Sequence, residues 1–249
     1  MENDDRTVGR ILSRREALAL LGLGGVALLG QRAFGQPGPP PDGRRGPGQG
    51  SAFVPNGCFA KPELTEGPFF VDEKLNRSDI RSDPQSKIVQ PGARLDLTFK
   101  VYGFADGCAA LPNAMVDVWH CDAMGRYSDV RENGTLGQKF LRGYQMTDKN
   151  GVARFTTIYP GWYRGRAVHL HFKIRTQKAN RNYEFTSQLF FDDMLSEKVF
   201  AKAPYAANSK GQISNERDGI FRDGGSHLLL KPTPKNAGYT AMFEVGLQV

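Results

Sequence analysis

Two histidines, His169 and His171, stand two residues apart inside VHLHFKIR, a stretch with the alternation of a strand. Side chains at i and i+2 share one face of a strand, so both imidazoles reach one point and form a starting pair of metal ligands. On spacing alone, two histidines on an exposed strand face account for the pattern equally well. Just upstream, PGWYRGRA supplies Tyr163 and Arg166, and GRYSDV places Tyr127 in a turn after AMVDVWHC. If the two tyrosines join the two histidines, the donors are two imidazoles and two phenolates. Phenolate is a hard anionic oxygen that suits a trivalent cation. Zinc sites are usually built from His, Cys and carboxylate, and ferrous oxygenase sites from two His and one carboxylate. A tyrosine-rich set therefore points to ferric chemistry.

The elements that must hold these residues read as strands. Polar and apolar residues alternate over 94–103 and 114–121, and strand patterns recur at 140–146, 152–158, 168–175, 183–191, 227–230 and 239–245. Asn150-Gly151, between the third and fourth of these, is a hairpin signal. About eight short strands separated by Gly, Pro and Asn turns predict an all-β fold, an antiparallel β-sandwich with long loops and little helix. A short helix is expected within 193–205. There is no internal repeat, coiled coil or nucleotide-binding glycine loop.

Toward the N-terminus the chemistry changes. Arg14-Arg15 precede the uncharged run 17–30, which is shorter than the roughly 20 residues of a membrane span and suits the apolar part of a signal peptide. Ala33 and Gly35 offer a cleavage site before Gln36. The arginine pair resembles a twin-arginine export signal, with Ala17 where Phe is usual. Residues 1–36 are thus expected to be a signal peptide, 37–50 a Pro/Gly-rich linker and 51–249 one folded domain. The expected location is periplasmic or extracellular, with no membrane span in the mature chain. In an oxidising compartment two of Cys58, Cys108 and Cys121 can pair, and their spacing does not say which. The formal charge of +7 comes from scattered Lys and Arg, which argues against nucleic acid as a partner.

With these motifs in order, the chain resembles the intradiol ring-cleavage dioxygenases, a family that includes catechol and protocatechuate dioxygenases. The resemblance runs from LTEGPFFVDEKLNRSDIRSD through VDVWHCDAMGRYSDV and YPGWYRGRAVHLHFKI to SQLFFDD. It implies an Fe(III) cofactor held by Tyr127, Tyr163, His169 and His171, with Tyr163 and His169 axial. It implies that Arg166 stabilises negative charge on the bound substrate and that Gln188 lines the pocket beside it. Substrates would be a small aromatic diol and O2, and the product a cis,cis-muconate-type diacid. It also places the Thr65–Pro68 loop near the site. An oligomer is compatible with the resemblance.

Other residues read more simply. His120 lies opposite Trp119 by strand parity and is expected to be structural. His227 stands alone, and Glu66 and Asp79 read as turn or salt-bridge residues. Phe69-Phe70 and Phe190-Phe191 read as core. The rival from another class is a non-catalytic, transthyretin-like binding module on the same sandwich, which has no use for Tyr127, Tyr163, Arg166, His169 and His171 together. A zinc hydrolase is the second rival.

Overall fold

The computed structural model describes residues 58, 60–104 and 107–249. The expected signal peptide, linker and first residues of the domain lie outside the described residues. Among the described residues nine strands form two sheets: β1 (Arg94–Gly103), β2 (Ala109–Ala110), β3 (Met115–Trp119), β4 (Arg142–Met146), β5 (Val152–Ile158), β6 (His169–Lys178), β7 (Arg181–Phe190), β8 (Thr233–Lys235) and β9 (Gly238–Leu247). One sheet runs β4-β3-β6-β7, all antiparallel. In the other, β1 lies between β9 and β5, with β2 continuing the β5 side and β8 outside β9. The all-β sandwich is therefore as expected, with one parallel pair, β1 with β9, in an otherwise antiparallel arrangement.

Strand periodicity explains the core. Along β1, Leu95, Leu97, Phe99 and Val101 are buried at every second position. They face Val116 and Val118 of β3 and Leu170, Phe172 and Ile174 of β6 within one hydrophobic cluster. Each such side chain contributes on the order of 2 kcal/mol when fully buried. β6 differs from β1 in being buried on both faces over His169–Ile174. Its second face carries His169, His171 and Lys173, and loops rather than a third sheet cover it.

Two sequence expectations change here. Asn150-Gly151 does turn the chain, with Gly151 at φ +70° and Asp148 accepting from Asn150 N and Val152 N. It does not join a hairpin, because its arms go to different sheets. Thr147 N bonds Ala114 O and holds β4 on β3, while Val101 N donates to Gly151 O and draws β5 onto β1. A Cβ on Gly151 would collide with that Val101 carbonyl. The expected strand at 227–230 is instead a 3-10 turn over Gly225–Leu228, followed by a single bridge from Leu229 to Phe190. Helix α1 (Asp193–Phe200) lies within the expected window, capped by Asp192 accepting from Leu195 N. α2 (Gly219–Arg222) follows farther on.

Cys58 and Cys108 form a disulfide that closes a loop of 50 residues, a constraint on the unfolded chain of about 4 kcal/mol. Cys121 is the cysteine left over; it is buried, and burial pushes its thiol pKa up. His120 is structural, as expected. Its Nδ1 lies 2.8 Å from Cys121 O and its Nε2 2.6 Å from Thr157 Oγ1, so the neutral ring donates at one nitrogen and accepts at the other. Burial lowers its pKa to about 4. An unfolded chain therefore takes up a proton between about pH 6.5 and 4 that the folded chain refuses, and stability falls as pH falls through that window. Urea titrations should show His120 alone removing on the order of 3 kcal/mol between pH 7 and 4. His120→Gln should flatten the pH dependence by up to one proton, whatever its stability at pH 7.

Candidate metal centre

The register of the four-stranded sheet sets out the floor of the site. Trp119 of β3, His171 of β6 and Gln188 of β7 are successive partners across the sheet, all on the face away from the main core. Trp119 stacks on His171 with ring centroids 5.0 Å apart and planes 12° from parallel. One pleat along β6, His169 brings its Nε2 to 3.1 Å from His171 Nε2. His169 Nδ1 lies 2.7 Å from Ala167 O. If that nitrogen carries the proton, the Nε2 lone pair faces the site.

Both tyrosines arrive on loops that approach because two residues lack a side chain. A Cβ at Gly161 would collide with the Asp122 carbonyl, and one at Gly125 (φ +82°) with the Trp162 carbonyl. This close backbone contact sets the Tyr127 and Tyr163 rings 5.6 Å apart. Tyr127 is fixed further by Asn133 Oδ1, which accepts from its N–H at 2.7 Å, and by Thr135 Oγ1, which donates to its carbonyl at 2.5 Å. Arg142, 2% exposed, donates to Ser128 Oγ, Ser128 O and Phe69 O and lies against the Tyr127 ring. Tyr163 is only partly buried, and its hydroxyl lies 3.2 Å from His169 Nε2.

A strap formed by 64–76 roofs the site. Gln188 Nε2 donates to Thr65 O at 2.8 Å. Gly67 lies against His171, where a Cβ would stand 3.2 Å from Cε1. Phe69 stacks on Tyr127 at 4.4 Å and Phe70 tilts onto Trp119 at 4.8 Å. These two phenylalanines thus wall the site rather than fill the main core, whereas Phe190 and Phe191 are core. Glu66 pairs with the buried Lys173, and Asp72 with Arg175, which also grips Asp117. The salt-bridge reading of Glu66 is what the structure shows.

Arg166 reaches the same point from the turn before β6. Its Nη1 lies 3.3 Å from His169 Nε2 and 3.4 Å from Tyr163 Oη, and its Nη2 donates to Gln188 Oε1 at 2.5 Å. The six residues singled out in the sequence, Tyr127, Tyr163, Arg166, His169, His171 and Gln188, therefore come together. His227 sits apart in its 3-10 turn, its carbonyl accepting from Lys61. Arg142, Trp119, Gly125, Gly161 and Asp218 went unnoticed as site residues in the sequence. Only the glycines carried a signal, Gly161 standing beside Trp162 and Gly125 two residues before Tyr127.

The donor set fits a metal. Burial lowers the pKa of His169 to about 3 and that of His171 well below its usual value, so both rings are neutral at pH 7. Burial also raises Tyr127 well above the usual phenol value, and raises Tyr163. Tyr127 Oη and His171 Nδ1 are buried with no hydrogen bond of good geometry among the described residues, although the Tyr163 hydroxyl is close enough to act on Tyr127. A buried phenol lacking a partner is costly, and a cation that takes its oxygen and releases its proton relieves that cost. No group of three or more His, Cys, Asp or Glu suited to a metal occurs among the described residues, and the side-chain oxygen beside the histidine pair is the Tyr163 phenol, 3.2 Å from His169 Nε2.

Comparison with known proteins agrees with this geometry. A family model described as Dioxygenase matches residues 65–220, more than half of the chain. The chain belongs to the intradiol ring-cleavage dioxygenase family. The chain is 36% identical over 109 residues to a catechol 1,2-dioxygenase of Acinetobacter baylyi, covering 42% of this chain and 32% of that protein. It is 30% identical over 132 residues to a protocatechuate 3,4-dioxygenase beta chain of Burkholderia cepacia, covering 48% and 54% respectively. The chain thus spans from about a third to about half of these curated relatives. An intradiol ring-cleavage dioxygenase from Tetranychus urticae superposes with a TM-score of 0.66 at 30% identity, over 77% of this chain and 95% of that one. That family is one of iron-dependent oxidoreductases.

Because the two tyrosine loops touch backbone to backbone, Gly161→Ala should push them apart. It should cost about 1–3 kcal/mol of stability, the range for overpacking. Bound metal per chain, by elemental analysis, should fall at least by half. A variant that keeps full metal would show that the loop contact does not set the ligand geometry.

Proposed function

We propose that this protein is an Fe(III)-dependent intradiol dioxygenase that cleaves a catechol-type diol between its hydroxyls to a cis,cis-muconate-type diacid. The observation that carries this reading is the convergence of His169 Nε2, His171 Nε2 and Tyr163 Oη, with the unpartnered Tyr127 phenol beside them. Tyr127, Tyr163, His169 and His171 would hold the iron. When bound, ferric iron supplies a Lewis acid that draws charge from the ring diolate and opens the ring carbon to O2.

The residues of the chain divide the remaining work. Tyr163 is the phenol nearest solvent, so its oxygen is the one placed to take a proton from a substrate hydroxyl. Tyr127, 1% exposed and clamped by Asn133 and Thr135, stays in place. Arg166 Nη1 points into the same space and stabilises negative charge as it develops on the ring. Trp119, Phe69 and Phe70 keep water from the histidine side. Because both phenols have raised pKa values in the metal-free protein, loading iron releases protons and is favoured as pH rises.

We also propose that the domain works outside the cytoplasm. Support comes from the arginine pair and apolar run near the N-terminus and from the Cys58–Cys108 disulfide, which suits an oxidising compartment. Among the described residues no helix is long and apolar enough to cross a membrane.

Purified protein should be red-brown from tyrosinate-to-iron charge transfer, and oxygen uptake across a panel of catechols should identify the diol. A colourless protein that stays iron-free after expression with iron would sink the proposal. Tyr163→Phe should keep iron but bind substrate at least tenfold more slowly in stopped-flow traces, a change of about 1.4 kcal/mol in barrier. Wild-type binding kinetics would count against its assigned part.

A further inference from the structure

Arg166 puts a guanidinium where a cation is expected, its Nη1 3.3 Å from His169 Nε2 and 3.4 Å from Tyr163 Oη. An uncompensated positive charge there is repelled by the metal and tends to swing out toward water. Asp218 meets this difficulty from the far end of the chain. Its side chain is 1% exposed, and its Oδ2 accepts from Arg166 Nε and from Ala167 N, both at 2.9 Å. Its Oδ1 accepts from Ile220 N at 2.8 Å and Phe221 N at 3.3 Å, capping α2. On the other flank Gln188 takes Nη2 at 2.5 Å. With Nε and Nη2 both held, Nη1 is left aimed at the edge of the site shared by Tyr163 and His169.

We propose that Asp218 is a positioning residue for ring cleavage: its carboxylate fixes the plane of Arg166 and offsets its charge beside the metal, leaving Nη1 as a directed donor to the reacting diol. This rests on the dioxygenase reading above. Gln188 cannot replace it, because a neutral amide fixes direction without offsetting charge. The competing account is that Asp218 only caps α2. The two roles use different oxygens. An asparagine can keep the cap through Oδ1, but its amide group would set N–H donors against the N–H groups of Arg166 and Ala167.

Asp218→Asn therefore separates them. In the iron-loaded protein it should retain iron and the charge-transfer band, with kcat reduced about 10- to 100-fold and KM for the diol within about threefold, as for a misaimed group. Asp218→Ser, which keeps a cap oxygen without the charge, is the second variant should the first fold poorly, and the same split is expected. In an Arg166→Ala background, Asp218→Asn should change kcat by less than about twofold, since the residue it serves is gone. Wild-type kcat in the Asp218 variants, or an equal loss with and without Arg166, would overturn the proposal. A colourless wild type with no oxygen uptake on any catechol would instead overturn the dioxygenase reading on which it stands.

Discussion

A strand with Leu170, Phe172 and Ile174 on one side and His169, His171 and Lys173 on the other must bury imidazole and ammonium groups as well as hydrocarbon. The inner side is ordinary sandwich core. The outer side is tolerable because most polar groups on it have a partner, since burying them otherwise costs several kcal/mol. Lys173 has Glu66 and Glu184, Arg175 has Asp117 and Asp72, and His169 has Ala167 O. Tyr127 Oη, His171 Nδ1 and Trp119 Nε1 are left over, and of these the Tyr127 oxygen lies beside the point where the candidate ligands meet.

The strap over this face is held both by charge and by aromatic stacking. Its acids meet Lys173 and Arg175 of β6, while Phe69 and Phe70 lie on Tyr127 and Trp119. Lys173 serves both, since its ammonium also sits 4.3 Å from the centre of the Phe70 ring. The strap is therefore tied to the same strand that carries the histidines. Roof and candidate histidine ligands are thus anchored on one element.

Local pattern made some of this legible in advance. Period-two alternation located β1, β3, β6 and β7 to within a few residues and put both histidines on one face. Resemblance supplied Tyr127, Tyr163, Arg166 and Gln188, which alternation does not single out. What escaped notice depends on contacts between distant segments. Asn150-Gly151 is a local turn signal, but whether its arms pair was decided by Val101 and Ala114. Residues 227–230 carry a strand-like composition, yet Leu229 reaches only a single bridge to Phe190. Asp218 looks like a loop acid until the fold brings it 2.9 Å from Arg166. The pairing of Cys58 with Cys108 likewise needed β2 to be placed first.

The parallel pairing of β1 with β9 bears on how the molecule is made. β1 is the middle of its sheet, flanked by β5 and β9. It leaves the ribosome long before β9, which forms its partner over nine residue pairs from Leu95 to Gly103. Until β9 has been made, one side of β1 presents unpaired N–H and C=O groups, a template for other chains. Closing that gap also demands contacts of high sequence separation, which form slowly. Shelter for β1 therefore waits on a strand made about 140 residues after it, so that one sheet edge stays open through most of the domain's synthesis.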